Sequence, residues 1–450
     1  MDQGSTNVSF NQPGVSRRRF LKTAGATAVA AGAGIEGILA AGRPPAYAQG
    51  TKLQLLRWVD FVPAADEVMG KLVAEASKVL GAEVTLERIN ANDLQPRITA
   101  AVQTGSGPDI IHMLHNWAHL YQKSLVDVGD VVATIAKDQK GFYDPVQTAG
   151  RVGNVWKVVP HAIVGGQIAY RKSLFEEVGA KEFPKTWQEY REVGKKLKAK
   201  GFPIGQTLGH TFGDAPGFWY PYMWSWGAAE IGKDGKSVAI KSKEMLDSVK
   251  FAIEFWKDAC DDGGLAWDDS NNNRAFLSGS ISATLNGASI YVESLRNKEK
   301  YKTDKGANMH TDILHGSNPA GPAGQFHYHA SFHHGVMSYS KNQKLAKDFL
   351  KWLHATKQFE QWFVAQKGFS VGATKHWEEH AMWKEDPVML PYRTAARAFR
   401  LFGHAGPPTA AASEAYSKYI IVDIYAKAVQ GMKPEEAVAW GESELKKIYG

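Results

Sequence analysis

The sequence predicts an α/β protein with more than one domain, and three observations carry that expectation. Strand and helix periodicities alternate in the order βαβαβ from about residue 53 to residue 111. The chain has 450 residues, 44% of them hydrophobic and 22% charged, which at ~100–200 residues per domain is enough for two or three cores. Its single cysteine, Cys260, rules out an internal disulfide framework, a Cys-x-x-Cys pair, a four-cysteine zinc site and a self-contained iron–sulfur cluster, and no cofactor is expected.

The N-terminus reads as an export signal. Ser16-Arg17-Arg18-Arg19-Phe20-Leu21-Lys22 leads into an Ala/Gly-rich apolar stretch, 24–41, and then Ala46-Tyr47-Ala48 before Gln49. This is the basic, apolar and small-residue order of a secretory signal, and the arginine pair followed by Phe-Leu-Lys resembles the twin-arginine motif, so residues 1–48 are expected to address the chain to the Tat translocase. Glu36 and the many glycines make the stretch a poor membrane span. Gly32-Ala33-Gly34-Ile35-Glu36-Gly37 matches a dinucleotide fingerprint, but no strand precedes it. Of the chain's 53 bases and 46 acids, five and two lie in this segment; the rest carries only +4 and no long basic run, so no nucleic-acid partner is expected.

Leu53, Leu55 and the run to Val59 form the first expected strand. Pro63 then opens a helix with apolar positions at 65, 68, 69, 72, 76, 79 and 80, closed by Gly81. Val84 and Leu86 alternate as a second strand, 93–104 repeats a helical pattern, and Gly107-Pro108-Asp109-Ile110-Ile111 opens a third. The order implies a parallel sheet with right-handed crossovers and ligands at the carboxyl ends of its strands, near 58–61, 90–92 and 112–117. Further on, Thr186-Trp187-Gln188-Glu189 has the spacing of a capping box, and Ser242 can cap a helix with Leu246, Val249, Ile253, Trp256 and Cys260 on one stripe. An aromatic run, 218–226, lies between them and reads as a loop. Asn271 to Asn273 can cap a short helix, and Ile281, Ala283 and Leu285 alternate into Asn286-Gly287. Residues 326–340 read as a strand, followed by helices near 342–354, 356–367 and after Pro434.

Over nearly the whole chain after the signal, the order of these segments resembles the family 1 extracellular solute-binding proteins, the maltose-binding-protein-like receptors of ABC importers. The resemblance rests on Gly107-Pro108-Asp109-Ile110, Val159-Pro160 followed by Ile168-Ala169-Tyr170-Arg171-Lys172, and Pro184-Lys185-Thr186-Trp187-Gln188-Glu189. Asn286-Gly287, Ser340-Lys341-Asn342 and Gly431-Met432-Lys433-Pro434-Glu435-Glu436-Ala437 extend it. It implies a two-lobed, periplasmic-binding-protein type II fold, hinged around a central cleft, with residues 50–163 plus 332–385 in the N-terminal lobe and 164–331 plus 386–450 in the C-terminal lobe. It also implies a periplasmic, non-enzymatic receptor that carries a carbohydrate or polyol to membrane permease subunits. Carried over segment by segment, the ligand contacts would be Trp58, Asp60, Phe61, Asn116, Trp117, Trp219, Tyr220, Trp224, Asn286, Ser289, Tyr291, Phe369, Tyr416 and Tyr419. Ala288-Ser289 and Val164-Gly165 stand where maltose binders carry an aromatic residue and acidic contacts, which argues against a maltodextrin.

The residues support a sugar pocket on their own terms. Fourteen tryptophans exceed what packing usually requires, and indole faces stack on the C–H faces of a pyranose while Asp and Asn bind hydroxyls. Trp187, Trp256, Trp352 and Trp362, at helical spacing, are assigned to the core. Two rival readings remain. A metal receptor could use His310, His315, His327, His329, His333 and His334 with Asp312, His327 and His329 sharing one strand face. An exported sugar-active enzyme could use two carboxylates distant in the chain. The acidic run from Asp268 to Asn273 lacks the glycine and glutamate of a calcium loop and reads as a solvated turn and helix cap.

Overall fold

The computed structural model describes Tyr47 and residues 50–450, so the expected signal, apart from Tyr47, lies outside the described residues. Strand β1 (Lys52–Trp58), the helix Pro63–Leu80, β2 (Glu83–Ile89), the helix Ala91–Thr104 and β3 (Ile110–Leu114) form the expected βαβαβ unit, with β1 parallel to both β2 and β3. The first helix buries Ala65, Met69, Leu72, Val73, Ala76 and Leu80 and ends at Gly81, whose φ of 65° is the left-handed geometry glycine supplies at a helix end. After a short hairpin of β4 (Arg151–Val152) and β5 (Val155–Trp156), β6 (Val159–Val164) joins the sheet. The chain then leaves for a second, antiparallel sheet of β7 (Gln167–Arg171), β8 (Ala283–Asn286) and β9 (Ile313–Gly316), in the order β8-β7-β9. It returns through β10 (Ala330–Val336) and later β11 (Ser370–Gly372), which complete a six-stranded sheet in the order β11-β6-β10-β3-β1-β2.

That larger sheet is mixed, not wholly parallel. Strand β6 leaves it at Val164 and β10 enters at Ala330, its partner in the ladder, so β10 runs antiparallel to both β6 and β3. Two lobes result, one on each sheet. The helices Trp187–Ala199, Asp214–Ser225, Lys243–Ala259, Ile420–Val429 and Pro434–Tyr449 pack around the three-stranded one. The capping box is present, with Glu189 N–H donating to Thr186 Oγ1 at 3.2 Å and the Glu189 carboxylate accepting from the Thr186 N–H.

Several expectations need correction. The aromatic run is no loop; the helix Asp214–Ser225 contains it, and every residue from Ala215 to Ser225 is buried. A helix apolar on all sides has no 3.6-residue stripe to read, and Pro221 disguised it further. His327 and His329 precede β10 instead of lying in it. Tyr416 and Tyr419, which the family resemblance places on one helix, do not share one: Ala410–Ser417 holds the first, and Tyr419, at φ 56°, breaks the chain before Ile420–Val429. Ser242 caps its helix through Met245 N–H, but the buried stripe is Met245, Ser248, Val249, Ala252, Phe255, Trp256 and Ala259. Asn271–Leu277 starts after Ser270, whose own side chain does not cap it; Asp268 Oδ1 accepts from Ser270 and Asn271 N–H, and Asn271 Oδ1 accepts in return from Asp268 N–H. Asp269 is buried.

Beneath the larger sheet lies a polar chain that hydrophobic patterning does not foresee. The Arg57 guanidinium, 2% exposed, donates to His334 Nε2 at 2.9 Å and to His161 Nε2 at 3.2 Å. His161 Nδ1 then faces His354 Nε2 at 3.1 Å, and His354 Nδ1 faces Leu350 O at 2.8 Å. These contacts run in one direction of donation, from Arg57 to Leu350 O, when all three imidazoles are neutral. Burial enforces this: His354 and His315 are pushed down to about 4, His115 and His333 to about 3, and His112, His161, His329 and His334 well below the ordinary value. Burial pushes four carboxyls the other way, Asp60 and Asp269 to about 6, Glu230 to about 7 and Asp214 well above its usual range.

The two groups have opposite pH signatures, and the imidazoles outnumber the carboxyls. Below pH 6.5 the unfolded chain protonates histidines that the native state keeps neutral, so each adds stability above that pH that is lost as pH falls; each raised carboxyl does the reverse. Urea midpoints should therefore fall from pH 7 to pH 5, at ~1.4 kcal/mol per pH unit for each net proton bound by the unfolded chain. A midpoint that rises over this range would contradict the buried, neutral cluster.

Candidate functional site

The two lobes meet around a cleft lined by residues of both. The larger-sheet lobe contributes Trp58 at the carboxyl end of β1, Phe61 just beyond it, Phe332 on β10 and Phe369 before β11. The Trp58 indole is central to them, with ring centroids 4.6 Å from Phe332, 5.6 Å from Phe61 and 6.4 Å from Phe369. From the other lobe Phe212 closes on it edge to face at 5.7 Å. Trp58 is 2% exposed, and its Nε1–H has no acceptor.

The second wall is polar. Asp214, in the first turn of the helix Asp214–Ser225, and Asp269, from a loop 55 residues on, both line the cleft. Asp269 accepts from Gly213 N–H at 3.0 Å and Asp214 N–H at 2.7 Å, so its carboxylate neutralises the first amides of that helix. Asp214 Oδ2 accepts from Asn272 Nδ2 at 2.6 Å. Burial first, and then Asp269, hold the Asp214 carboxyl well above the usual range. Asn286 and Ser289 complete the wall as a closed network with Asn273: Asn286 Nδ2 donates to Asn273 Oδ1 at 2.7 Å, Asn273 Nδ2 to Ser289 Oγ at 2.8 Å, and Ser289 Oγ to Asn286 Oδ1 at 3.1 Å. Gly287 has to be glycine here, since a Cβ would lie 2.5 Å from Val164 Cγ1 and 3.0 Å from the Phe369 ring.

Five of the fourteen expected contacts line this cleft: Trp58, Phe61, Asn286, Ser289 and Phe369. The others lie elsewhere. Trp219, Tyr220 and Trp224 belong to the buried aromatic helix; Trp219 donates to Thr207 O at 3.1 Å and stacks on Tyr425 at 4.7 Å, inside the second lobe. Trp117 is buried beside Tyr121. Asp60 accepts from Val62 N–H and Gln366 Nε2, under the aromatic wall. Tyr291 donates to Asp386 at 2.6 Å, and Tyr419 stacks on His210 at 4.5 Å.

Asn116 and Tyr416 lie at a contact between the lobes outside the cleft. Ser413 Oγ donates to Asn116 O at 3.0 Å, and Gln95 Nε2 to Ser417 Oγ at 2.6 Å. His115, buried at φ 51°, lies between two tyrosines: Tyr328 donates to its Nδ1, its Nε2–H donates to Tyr416 Oη at 2.8 Å, and Tyr416 donates on to Phe212 O. Because Tyr328 and Phe212 both line the cleft, this relay ties the cleft wall to the lobe contact. Sequence reasoning missed Phe212, Asp214, Asp269, Tyr328 and Phe332. For Asp269 the sequence carries a signal, an acidic pair beside three asparagines, but such a run reads equally as a solvated turn.

Among the described residues, one group of three has ligand atoms close enough for a metal, His161, His334 and His354. The Arg57 guanidinium already occupies the lone pairs of His161 and His334, and a cation there would meet a buried positive charge. Of the groups the rival metal reading would use, His315 faces Val388 O, His329 stacks on His327 and accepts from Gly166 N–H, and Asp312 is paired with Arg171 at 2.6 Å.

A two-lobed α/β chain with a cleft between its sheets has the architecture of a ligand-binding protein. Residues 71–391 match the family model of bacterial extracellular solute-binding proteins, and the chain belongs to that family. Membership places it among extracytoplasmic solute-binding proteins. In sequence it is 32% identical over 111 residues to a Brucella abortus binding protein and 23% identical over 163 residues to the diacetylchitobiose binding protein DasA of Streptomyces coelicolor. These alignments take in 23% and 35% of this chain, but only 25% and 38% of those relatives' own length. In structure it is similar to maltose-bound T. maritima MalE3, at 19% identity and TM-score 0.74 over 88% of this chain and all of that one. It is also similar to an Agrobacterium radiobacter solute-binding protein in complex with ribitol, at 21% identity and TM-score 0.71 over 89% and 99%. At these identities the likeness establishes the fold.

Two substitutions separate the wall from the core. Trp219→Ala should destabilise the fold by ~3–5 kcal/mol in urea, as expected for a large buried aromatic side chain. Trp58→Ala, also buried, should destabilise the fold as well and in addition cost ligand affinity at least ~0.5–1.5 kcal/mol, a loss of several-fold or more by calorimetric titration. The placement fails if Trp219→Ala melts like the parent.

Proposed function

We propose that this chain is the receptor of an ABC importer, binding a small carbohydrate or polyol between its lobes and delivering it to membrane permease subunits. The observation that carries this reading is the cleft itself, with aromatic rings on one wall and carboxylates on the other, which suits a ring with apolar C–H faces and hydroxyl edges. The related proteins bound to maltose and ribitol, and the diacetylchitobiose binding protein, agree with it. Phosphorylated ligands fit poorly because no Lys, Arg or His lines the cleft.

The enzyme reading is less favoured by the same geometry. Asp214 and Asp269 project from one wall, and Asp269 is spent on backbone amides, whereas glycoside hydrolysis needs two carboxyls flanking the bond. The sheet connections support a lobe division at residues 50–163 plus 332–385 and 164–331 plus 386–450. On this reading residues 1–48 direct export to the periplasm by Tat, with cleavage near Ala48/Gln49.

Two experiments test these points. A thermal-shift screen against a carbon-source library should give a hit stabilised by ~2.7 kcal/mol at 100 times its dissociation constant, and that ligand should reduce the radius of gyration in small-angle scattering as the lobes close. An unchanged scattering curve at saturation would rule out the clamp. Replacing Arg17 and Arg18 by lysine should leave precursor in the cytoplasm, and normal processing of the unmodified precursor without a Tat translocase would rule out that route.

A further inference from the structure

The charge inventory of the cleft narrows the ligand beyond a neutral sugar. Eighteen residues line it; two are aspartates, six are aromatic and none is Lys, Arg or His. Asp269 is compensated by the amides of Gly213 and Asp214, and a helix N-terminus is equivalent to about half a positive charge. Asp214 then has one neutral donor, Asn272, and no cation. The cation acting on this loop, Arg274, is directed elsewhere: it donates to Ser270 Oγ at 2.9 Å and acts on Asp268. The cleft therefore holds a carboxyl group with no counter-charge, which burial disfavours as an anion and a neighbouring cation would ionise, facing aromatic rings that attract cations.

A second, independent feature points to what else the ligand carries. Trp58 lines the cleft, and its Nε1–H is buried without an acceptor, which costs free energy while it stays unmet. A bare ammonium compound offers no acceptor; a hydroxylated amine offers both.

Resting on the carbohydrate reading above, we propose that the cleft selects a cationic, hydroxylated ligand, an amino sugar, aminocyclitol or amino alditol, with its ammonium against Asp214 and its carbon face on Trp58 and the phenylalanines. The ammonium donates a charge-assisted hydrogen bond to Asp214, and a hydroxyl oxygen accepts from Trp58.

The test is calorimetric titration of the full mature chain with matched pairs at one pH and salt: glucosamine against glucose and N-acetylglucosamine, 2-deoxystreptamine against myo-inositol, and glucamine against sorbitol, with putrescine as a cation lacking hydroxyls. In at least one pair the amine should bind ten times or more tighter than its neutral partner. Asp214→Asn should bring that ratio to within about threefold while leaving the neutral partner's affinity nearly unchanged. Should the variant fail to fold, the pairwise ratio in the parent protein decides alone. Neutral members binding as tightly as the amines would overturn the proposal and leave the carbohydrate reading standing. Binding of putrescine alone would overturn both, and so would no response to any compound beside a hit outside the sugars and polyols. No response to any pair beside a neutral sugar found in the wider screen would overturn the cationic ligand only. An undiminished ratio in Asp214→Asn would remove Asp214 from the assignment.

Discussion

The molecule depends on one hydrogen-bonded crossing between its lobes. Strand β6 runs out of the large sheet at Val164 against Ala330 of the returning β10, and Gly166 N–H, two residues on, donates to His329 at 3.1 Å. A third segment lies against them: a Cβ on Gly165 would sit 3.1 Å from both Tyr392 and Ala395. Every strand of the second sheet is reached through these segments, so their pairing fixes how the walls of the cleft face each other. The mixed direction of the large sheet follows from the same fact, because a strand that enters where its neighbour leaves can only run the opposite way.

Polarity is divided unevenly across that crossing. The large-sheet lobe offers the cleft rings and hides its charge beneath them, where Arg57 is stabilised by neutral imidazoles and by the face of Trp362 at 5.7 Å. The other lobe presents its aspartates to the cleft and keeps its densest aromatic helix inside. Burial accounts for both arrangements, since a charge taken from water is tolerated only where donors or acceptors replace the water. In the first lobe histidine lone pairs do this for Arg57; in the second, backbone amides do it for Asp269.

The relay through His115 joins the crossing to the cleft. Its directionality requires a neutral imidazole, donating at Nε2 and accepting at Nδ1, and desolvation keeps it so. Tyr328 and Phe212 each have one end in this relay and one in the cleft wall, so a shift of either lobe is felt at both places. His115 holds a left-handed backbone conformation that is uncommon outside glycine, which is consistent with a position set by its partners more than by its own preference.

The sequence by itself determined the elements whose information is local. The stripe of Pro63–Leu80, the Gly81 stop, the Thr186 capping box and the βαβαβ order were legible because periodicity and capping act within a few residues. It also carried Trp58, Phe61 and Phe369 to the cleft, since ligands gather where parallel strands end and where family landmarks place the turns. Only the tertiary structure decided the rest. Asp214 and Asp269 are 55 residues apart and become neighbours through the folding of a helix whose all-round hydrophobicity erased its own period. His115 and Tyr416, 301 apart, meet only when the lobes do. Side chains such as Trp219 and Trp58 are chemically identical in a sequence; which of them faces a ligand and which fills a core depends on what long-range packing sets against each ring.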